Sequence, residues 1–340
     1  MNDQKQYKWA VCTSCMTYNQ SVYIEDALNG FTMQETNFPY VCIICDDAST
    51  DGEQDVIRNY LEQHFELDDK TVTRNEETED YFLRFARHKT NHNCFFAVLF
   101  LKYNHYGKKS KFPYISKWMD NSKYLAMCEG DDYWTAPQKL QMQVDYLETH
   151  PNIVLSCHQY SVTDVLTGKT SLRKNLYFDR NKNKDSFEFD IRYAFNGQWI
   201  TKTLTLVMRC SCYNPEEIGK FKYHRDVHNI YFAMKKGNGV CHAINAGVYR
   251  KNVSTSIFGN LDNAGKTKVN YNVFTEMADI THDPIICEVA KRVSVKHCID
   301  ILQSCGGCYV LAVKIPYYFH KGINFIRHGF RRRGIPPISV

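Results

Sequence analysis

A chain of 340 residues can form one large or two ordinary domains, and its 44% hydrophobic, 23% charged and 14% aromatic residues describe a folded globular protein rather than a disordered one. No run of about 18 apolar residues occurs, which argues against a membrane-spanning helix, and Met1 to Lys8 lacks the apolar core of a signal peptide, so a cytosolic chain is expected. The formal charge of +5 is local: residues 301–340 hold six cations and no acid, and the remainder carries 36 Lys and Arg against 37 Asp and Glu, which excludes a general nucleic-acid surface and suggests a basic anchor.

In chain order, Trp9 to Met16 is a short apolar run read as the first strand, followed by the polar turn Thr17-Tyr18-Asn19-Gln20. Residues 23–33 place Ile24, Ala27, Leu28 and Phe31 at helical spacing. Tyr40 to Cys45 is a near-continuous apolar strand, the pattern of a buried parallel strand, and it runs into Asp46-Asp47-Ala48-Ser49-Thr50-Asp51-Gly52. A helix over 53–65 follows, so the order is strand, helix, strand, helix, and a parallel doubly wound α/β sheet is expected. Residues 66–80 are acidic and irregular around a short strand at Thr71 to Thr73. Tyr81 to Tyr103 reads as partly helical, and 104–121, rich in Lys, Asn, Gly and Ser, as a surface loop.

Lys123 to Met127 is the next strand, and it delivers Cys128-Glu129-Gly130-Asp131-Asp132-Tyr133-Trp134 at its tip. Pro137 opens an amphipathic helix, Gln138 to His150, and Ile153 to Cys157 is a further strand. Residues 161–196 suggest loops with a short helix, and Trp199 to Met208 alternates Thr with apolar residues like a half-exposed strand. Tyr223-His-Arg-Asp-Val-His228 precedes a short helix, Val240 to Tyr249 reads as a strand, and 284–304 as an amphipathic helix. From Tyr309 to Arg333 aromatic residues mix with cations, a pattern suited either to an anionic membrane surface or to a helix packed on the core.

Fourteen cysteines include three C-x-x-C spacings, Cys12/Cys15, Cys42/Cys45 and Cys305/Cys308. The first two pairs fall within predicted strands, where residues i and i+3 face opposite ways and cannot grip one metal. No zinc site is expected; the cysteines act as small hydrophobes in a reducing compartment.

Three polar clusters occupy the C-terminal ends of predicted parallel strands: Thr17-Tyr18-Asn19, Asp46-Asp47 and Glu129-Asp131-Asp132. Such ends share one edge, where open α/β sheets hold ligands. Asp131 and Asp132 can ligate Mg²⁺ or Mn²⁺, hard ions that prefer oxygen and leave places for phosphate. Asp46 and Asp47 can accept hydrogen bonds from a base or ribose, and Tyr18 can stack on a base. The first strand is followed by neither G-x-G-x-x-G nor G-K-[ST], which excludes dinucleotide and Walker-type phosphate loops.

Val11 to Asn19, Asp46-Asp47-Ala48-Ser49-Thr50-Asp51, and Tyr124-Leu-Ala-Met-Cys-Glu-Gly-Asp-Asp-Tyr-Trp134, with Gln138-Lys139-Leu140-Gln141 beyond, resemble family 2 glycosyltransferases of the GT-A fold. The resemblance is to a bacterial branch that builds surface polysaccharides. It implies a GT-A-like domain over 1–260, a helical basic extension over 261–340, and inverting sugar transfer from a nucleotide-sugar, UDP-linked by expectation, to a glycan or lipid-linked acceptor. By position it assigns Tyr18 and Asp47, with Asp46 beside them, to the base, and Asp131 and Asp132 to ribose, metal and diphosphate. Glu129 stands where the family often has Asp, and Met16 where it commonly has Pro. Asp226 falls at the catalytic base, ahead of a short helix and a strand ending Val248-Tyr249-Arg250, although Arg225 replaces the acid usual before it. Inverting transfer needs such a base for the acceptor hydroxyl and a cation for the departing diphosphate. Asp226 can equally cap the helix that follows. His224 and His228 are candidates for the base or an acceptor contact, or plain surface groups, and Arg250 for a phosphate or acceptor contact, or a surface salt bridge. A non-catalytic nucleotide-sugar-binding relative and, further off, a nucleotidyltransferase are the alternatives.

Overall fold

In the computed structural model, which describes residues 6–196, 198–256 and 259–304, the chain opens with alternating strands and helices. These are β1 (Trp9–Thr17), α1 (Ile24–Thr32), β2 (Tyr40–Asp46) and α2 (Glu53–His64). Next come β3 (Phe65–Glu66), β4 (Arg74–Glu77), β5 (Tyr81–His88), β6 (Cys94–Leu101), α3 (Phe112–Met119), β7 (Ser122–Met127) and β8 (Tyr133–Trp134). The middle of the chain forms α4 (Lys139–Thr149), β9 (Ile153–Asp164), β10 (Thr170–Leu172), α5 (Leu176–Arg180), β11 (Ser186–Phe189) and α6 (Ile191–Asn196). It closes with β12 (Val207–Arg209), α7 (Pro215–Ile218), α8 (Asp226–Met234), β13 (Asn238–Lys251), α9 (Asn263–Thr281) and α10 (Pro284–Ser304).

The strands form one sheet in the order β11-β13-β9-β12-β7-β1-β2-β6-β5-β3, with β10, β4 and β8 attached at its margins. β7, β1, β2 and β6 are parallel neighbours. β12 is antiparallel to both β7 and β9, so β9 and its parallel partner β13 point the same way as the first four. The long strands therefore share one direction, apart from β5, and the sheet is mostly parallel and flanked by helices, as the alternating sequence pattern predicts.

Both faces of this sheet are covered. Along β2 the side chains alternate between two core clusters, Val41, Ile43 and Cys45 on one face and Tyr40, Cys42 and Ile44 on the other. The same alternation sends Cys12 to one face and Cys15 to the other. The pairs are thus split by strand geometry, and all four thiols are buried. The Cys305/Cys308 pair and the 309–333 segment lie outside the described residues. The described part of the 261–340 extension is helical, and Val273, Met277, Ile286 and Val289 join the same core.

Several local expectations are corrected. Residues 81–101 are not helical but form the antiparallel pair β5 and β6. Tyr81, Leu83 and Phe85 pack on one face of the sheet and Phe82 and Ala86 on the other, a period of two that an aromatic-rich stretch disguises. The loop at 104–121 contains α3, whose Tyr114, Ile115, Trp118 and Met119 make one buried face. The short strand expected at 71–73 lies at Arg74–Glu77. The half-exposed strand at 199–208 shrinks to β12, because Thr203–Thr205 closes a tight turn in which Lys202 O accepts from Thr205 N (2.8 Å) and Thr205 Oγ1 (2.7 Å). A threonine hydroxyl that bonds nearby backbone competes in this way with a strand ladder.

Candidate active site

The register Thr17–Asp46 across β1 and β2, and Ser14–Met127 across β1 and β7, brings the three polar strand ends to one edge. Gly130 N donates to Met16 O (3.1 Å), and a Cβ at Gly130 would sit 2.4 Å from Thr17 Oγ1 and 2.5 Å from Gln20 Oε1. Only glycine lets the acidic stretch lie this close to the end of β1.

At the β1/β2 end the acids are bonded to protein donors. The Thr17 hydroxyl donates toward Gln20 Oε1 (2.8 Å) and toward the carboxylate of Glu53, the first residue of α2. Gln20 N and Ser49 Oγ each donate to Glu53 Oε2 at 2.8 Å. Asp47 is almost wholly buried, and its Oδ1 accepts from His105 N (2.6 Å) while Oδ2 pairs with Lys111 Nζ (2.6 Å). Asp46 Oδ2 accepts from Ser49 N (3.2 Å) and Gln54 Nε2 (2.5 Å). Its second oxygen, Oδ1, is buried and has no partner among the described residues. Burial raises the pKa of Asp46 and Glu53, against these hydrogen bonds. Tyr18 remains 40% exposed at the mouth, with Asn19 behind it in the left-handed region at φ 53°.

At the β7 end the acids outnumber their compensating groups. Burial, then Asp131 and Asp226, push the Glu129 carboxyl up to about 8, with Lys111 and Lys202 acting the other way. Burial raises Asp131, and burial with Asp131 beside it lifts Asp132 well above the usual carboxylate range. Asp132 Oδ1 accepts from Arg250 N (2.9 Å). The Arg250 side chain donates to Asp131 O (2.9 Å) and to the Asp26 carboxylate, and lies over Tyr133 at 4.5 Å. Crowded carboxyls of this kind hold their protons until a hard divalent cation stabilises the ionised form, and Mg²⁺ or Mn²⁺ needs only one or two carboxylates when phosphate oxygens complete its shell. Asp131 and Asp132 fit that requirement, while no group of three His, Cys, Asp or Glu side chains forms a closed metal cage among the described residues.

Asp226 reaches the same edge from α8, close enough to Glu129 to raise its pKa. It is the first helical residue rather than the cap. His228 Nδ1 instead accepts from Arg225 N (3.1 Å), and burial holds that imidazole down at about 4. His228 is therefore committed to the helix start, whereas His224 is exposed beside it. Asp226 Oδ2 accepts from Thr203 Oγ1 (3.2 Å), and Oδ1 from Val227 N (3.0 Å).

Sequence reasoning missed Lys111, Lys202, Glu53 and Gly130. Lys111 pairs with Asp47 and lies within electrostatic reach of Glu129, bridging the two ends. Lys202 Nζ sits 3.5 Å above the Tyr249 ring. Burial acts to lower its pKa, but Tyr249, Asp132, Tyr160 and Asp226 outweigh that and hold it above the usual lysine value. Gly130 and Glu53 were legible in principle, since each adjoins a motif already singled out; the two lysines carried no local signal.

No family model matches the chain. Uncharacterised proteins of Mycobacterium bovis and Mycobacterium tuberculosis are 34% identical to it over 147 residues, 43% of this chain and 34% of each relative, so the match spans about a third of those curated relatives. Among solved structures, Staphylococcus aureus TarS 1-349 in complex with UDP-GlcNAc is 14% identical with a TM-score of 0.49, covering 94% of this chain and 92% of that one. The mannosyltransferase PcManGT from Pyrobaculum calidifontis, in complex with GDP-Man and Mn²⁺, is 13% identical with a TM-score of 0.47, covering 91% and 79%. Likenesses of that extent leave the function to be decided by the site itself.

Proposed function

We propose that the chain is an inverting glycosyltransferase that moves a hexosyl or N-acetylhexosaminyl group from a nucleotide-sugar, UDP-linked by preference, to a glycan or lipid-linked acceptor in surface-polysaccharide synthesis. The observation that carries this reading is the meeting of an under-compensated acidic strand tip, Glu129-Gly130-Asp131-Asp132, with a separate carboxylate on a helix, Asp226, at the sheet edge where β1 and β2 also end in Thr17 and Asp46. The resemblance of the same residues to family 2 glycosyltransferases supports it.

In this reading Tyr18 stacks on the base, and Asp46 Oδ1, the carboxylate oxygen without a partner among the described residues, accepts from base or ribose. Asp47, braced by Lys111 and His105, forms the wall behind them. Asp131 and Asp132 are the residues that would hold Mg²⁺ or Mn²⁺. When bound, that cation neutralises the leaving group. Asp226 accepts the proton of the acceptor hydroxyl, with Thr203 fixing the direction of its carboxylate.

Calorimetric titration of UDP and GDP with and without Mn²⁺ tests this, wild type against Asp131→Ala. Metal-dependent nucleotide binding that Asp131→Ala loses by more than about tenfold is expected. Metal-dependent binding with no sugar released from any donor would favour a non-catalytic binding relative, a reading suggested by Arg225 where the family has an acid.

A further inference from the structure

Three cations stand at the acidic edge, and they are used differently. The Lys111 ammonium is 2.6 Å from Asp47 Oδ2. The Arg250 guanidinium is divided among Asp131 O, Asp26 and the Tyr133 and Tyr23 rings. Lys202 lies within electrostatic reach of Asp132, Asp131, Glu129 and Asp226, yet among the described residues it forms no ion pair or hydrogen bond through Nζ. Its fixed neighbour is the Tyr249 ring, a cation–π contact at 3.5 Å that orients the ammonium without using its three N–H donors on an oxygen. A partly buried ammonium with unspent donors, beside carboxylates it does not pair with, is placed to receive an anion from outside.

The backbone that carries Lys202 is firmly held. Trp134 Nε1, from the acidic stretch itself, donates to Leu204 O (2.8 Å). Leu204 packs so tightly on Gly247 of β13 that a Cβ there would lie 2.5 Å from Leu204 Cδ1. Thr203 donates to Asp226. One tight turn thus ties the acidic strand tip, β13 and the start of α8 together, and presents Lys202 and Thr203 side by side toward them.

Resting on the donor reading above, we propose that Lys202 is a catalytic residue whose ammonium binds the donor's diphosphate and takes up the negative charge that develops as it departs. The acceptor oxygen forms its bond to the anomeric carbon while the bond from that carbon to the diphosphate oxygen breaks. The bonding pair leaves with the diphosphate, and the acceptor proton goes to Asp226. Lys202 stays protonated throughout and gives up no proton; it contributes charge and hydrogen bonds at the leaving oxygens, where such donors are most effective in a site shielded from water.

The test compares UDP with uridine, and GDP with guanosine, by titration calorimetry for wild type, Lys202→Met and Lys202→Arg, together with diphosphate release from nucleotide-sugars. For Lys202→Met, nucleoside affinity is expected to stay within about twofold of wild type, diphosphate affinity to fall about tenfold, and kcat to fall by roughly 10²–10³. Lys202→Arg should recover part of both losses. Equal weakening of nucleoside and diphosphate would mean a structural role and overturn the proposal, as would unchanged diphosphate affinity and turnover. If wild type binds diphosphates and Lys202→Met matches it, Lys202 fails alone; if wild type binds neither diphosphate, the donor reading fails and takes Lys202 with it.

Discussion

The two ends of the acidic edge are built from the same residue type and treated in opposite ways. At the β1/β2 end, Asp46, Asp47 and Glu53 receive hydrogen bonds from Ser49, Gln54, His105, Lys111, Thr17 and Gln20, all protein donors. At the β7 end, Glu129, Asp131 and Asp132 crowd one another, and their carboxyls are lifted by burial and mutual repulsion. At the first end the protein supplies most of the partners, and one buried oxygen, Asp46 Oδ1, has none among the described residues and is open to a neutral donor. At the second, crowding and burial make the ionised carboxylates costly, so their charge is favoured when a cation stands beside them. Carboxylates alone do not mark a metal site; what marks it is how few of their oxygens the protein itself satisfies.

Replacing acids at either end, and the proposed base Asp226, sharpens that contrast. The largest effect is expected for Asp226→Asn, which keeps shape but removes the proton acceptor: kcat for sugar transfer should fall about 10²–10⁴-fold with diphosphate affinity unchanged, as read by donor turnover and titration. An unchanged kcat would move the base elsewhere. Next, Asp47→Ala should lower stability by about 1–3 kcal/mol in denaturant unfolding, since it strands the buried His105 amide and unpairs the part-exposed Lys111 ammonium. Asp131→Ala should leave stability unchanged or raise it, because it relieves repulsion. Equal destabilisation by both would erase the distinction drawn here.

The smallest expected effect concerns Lys139, fully buried with Nζ 2.8 Å from Gln143 Oε1 and 4.0 Å above the Trp134 ring. Burial pulls its pKa down to about 7 from 10.5. Between those values the unfolded chain binds the proton that the folded chain has lost, so stability rises with pH across that window and falls as pH drops toward 7. Relative to Lys139→Met, wild type should gain about 1 kcal/mol per pH unit from roughly pH 7 to 9 in urea midpoints. Parallel pH curves for the two proteins would show that Lys139 keeps its charge when folded.

The strand ends were legible because each signal is short-range: an apolar run such as Tyr40 to Cys45 ending in Asp46-Asp47 states both strand and tip within a few residues. Parallel pairing then brings distant tips together without further information. The stretch 81–101 misled because its aromatic side chains pack on both faces of an outer pair of strands, blurring the period of two. Lys202 was invisible for a different reason. It is a lone cation in a threonine-rich stretch, and its meaning comes from Trp134 and Asp226, which are far away in sequence. Lys111 likewise gains its role only when α3 and its approach fold over Asp47.

The three-residue strand β12 has a consequence of another kind. In the sheet order it alone links the block β7-β1-β2-β6, which carries the acidic tips, to the block β9-β13, which carries Arg250. Its Val207 and Met208 pair on both sides, so their amides are protected only while the two blocks are joined. Hydrogen exchange at these two positions therefore reports the cooperative boundary of the protein: exchange at the global unfolding rate marks a single folding unit, and earlier exchange marks two halves that part along a seam passing directly beneath the site.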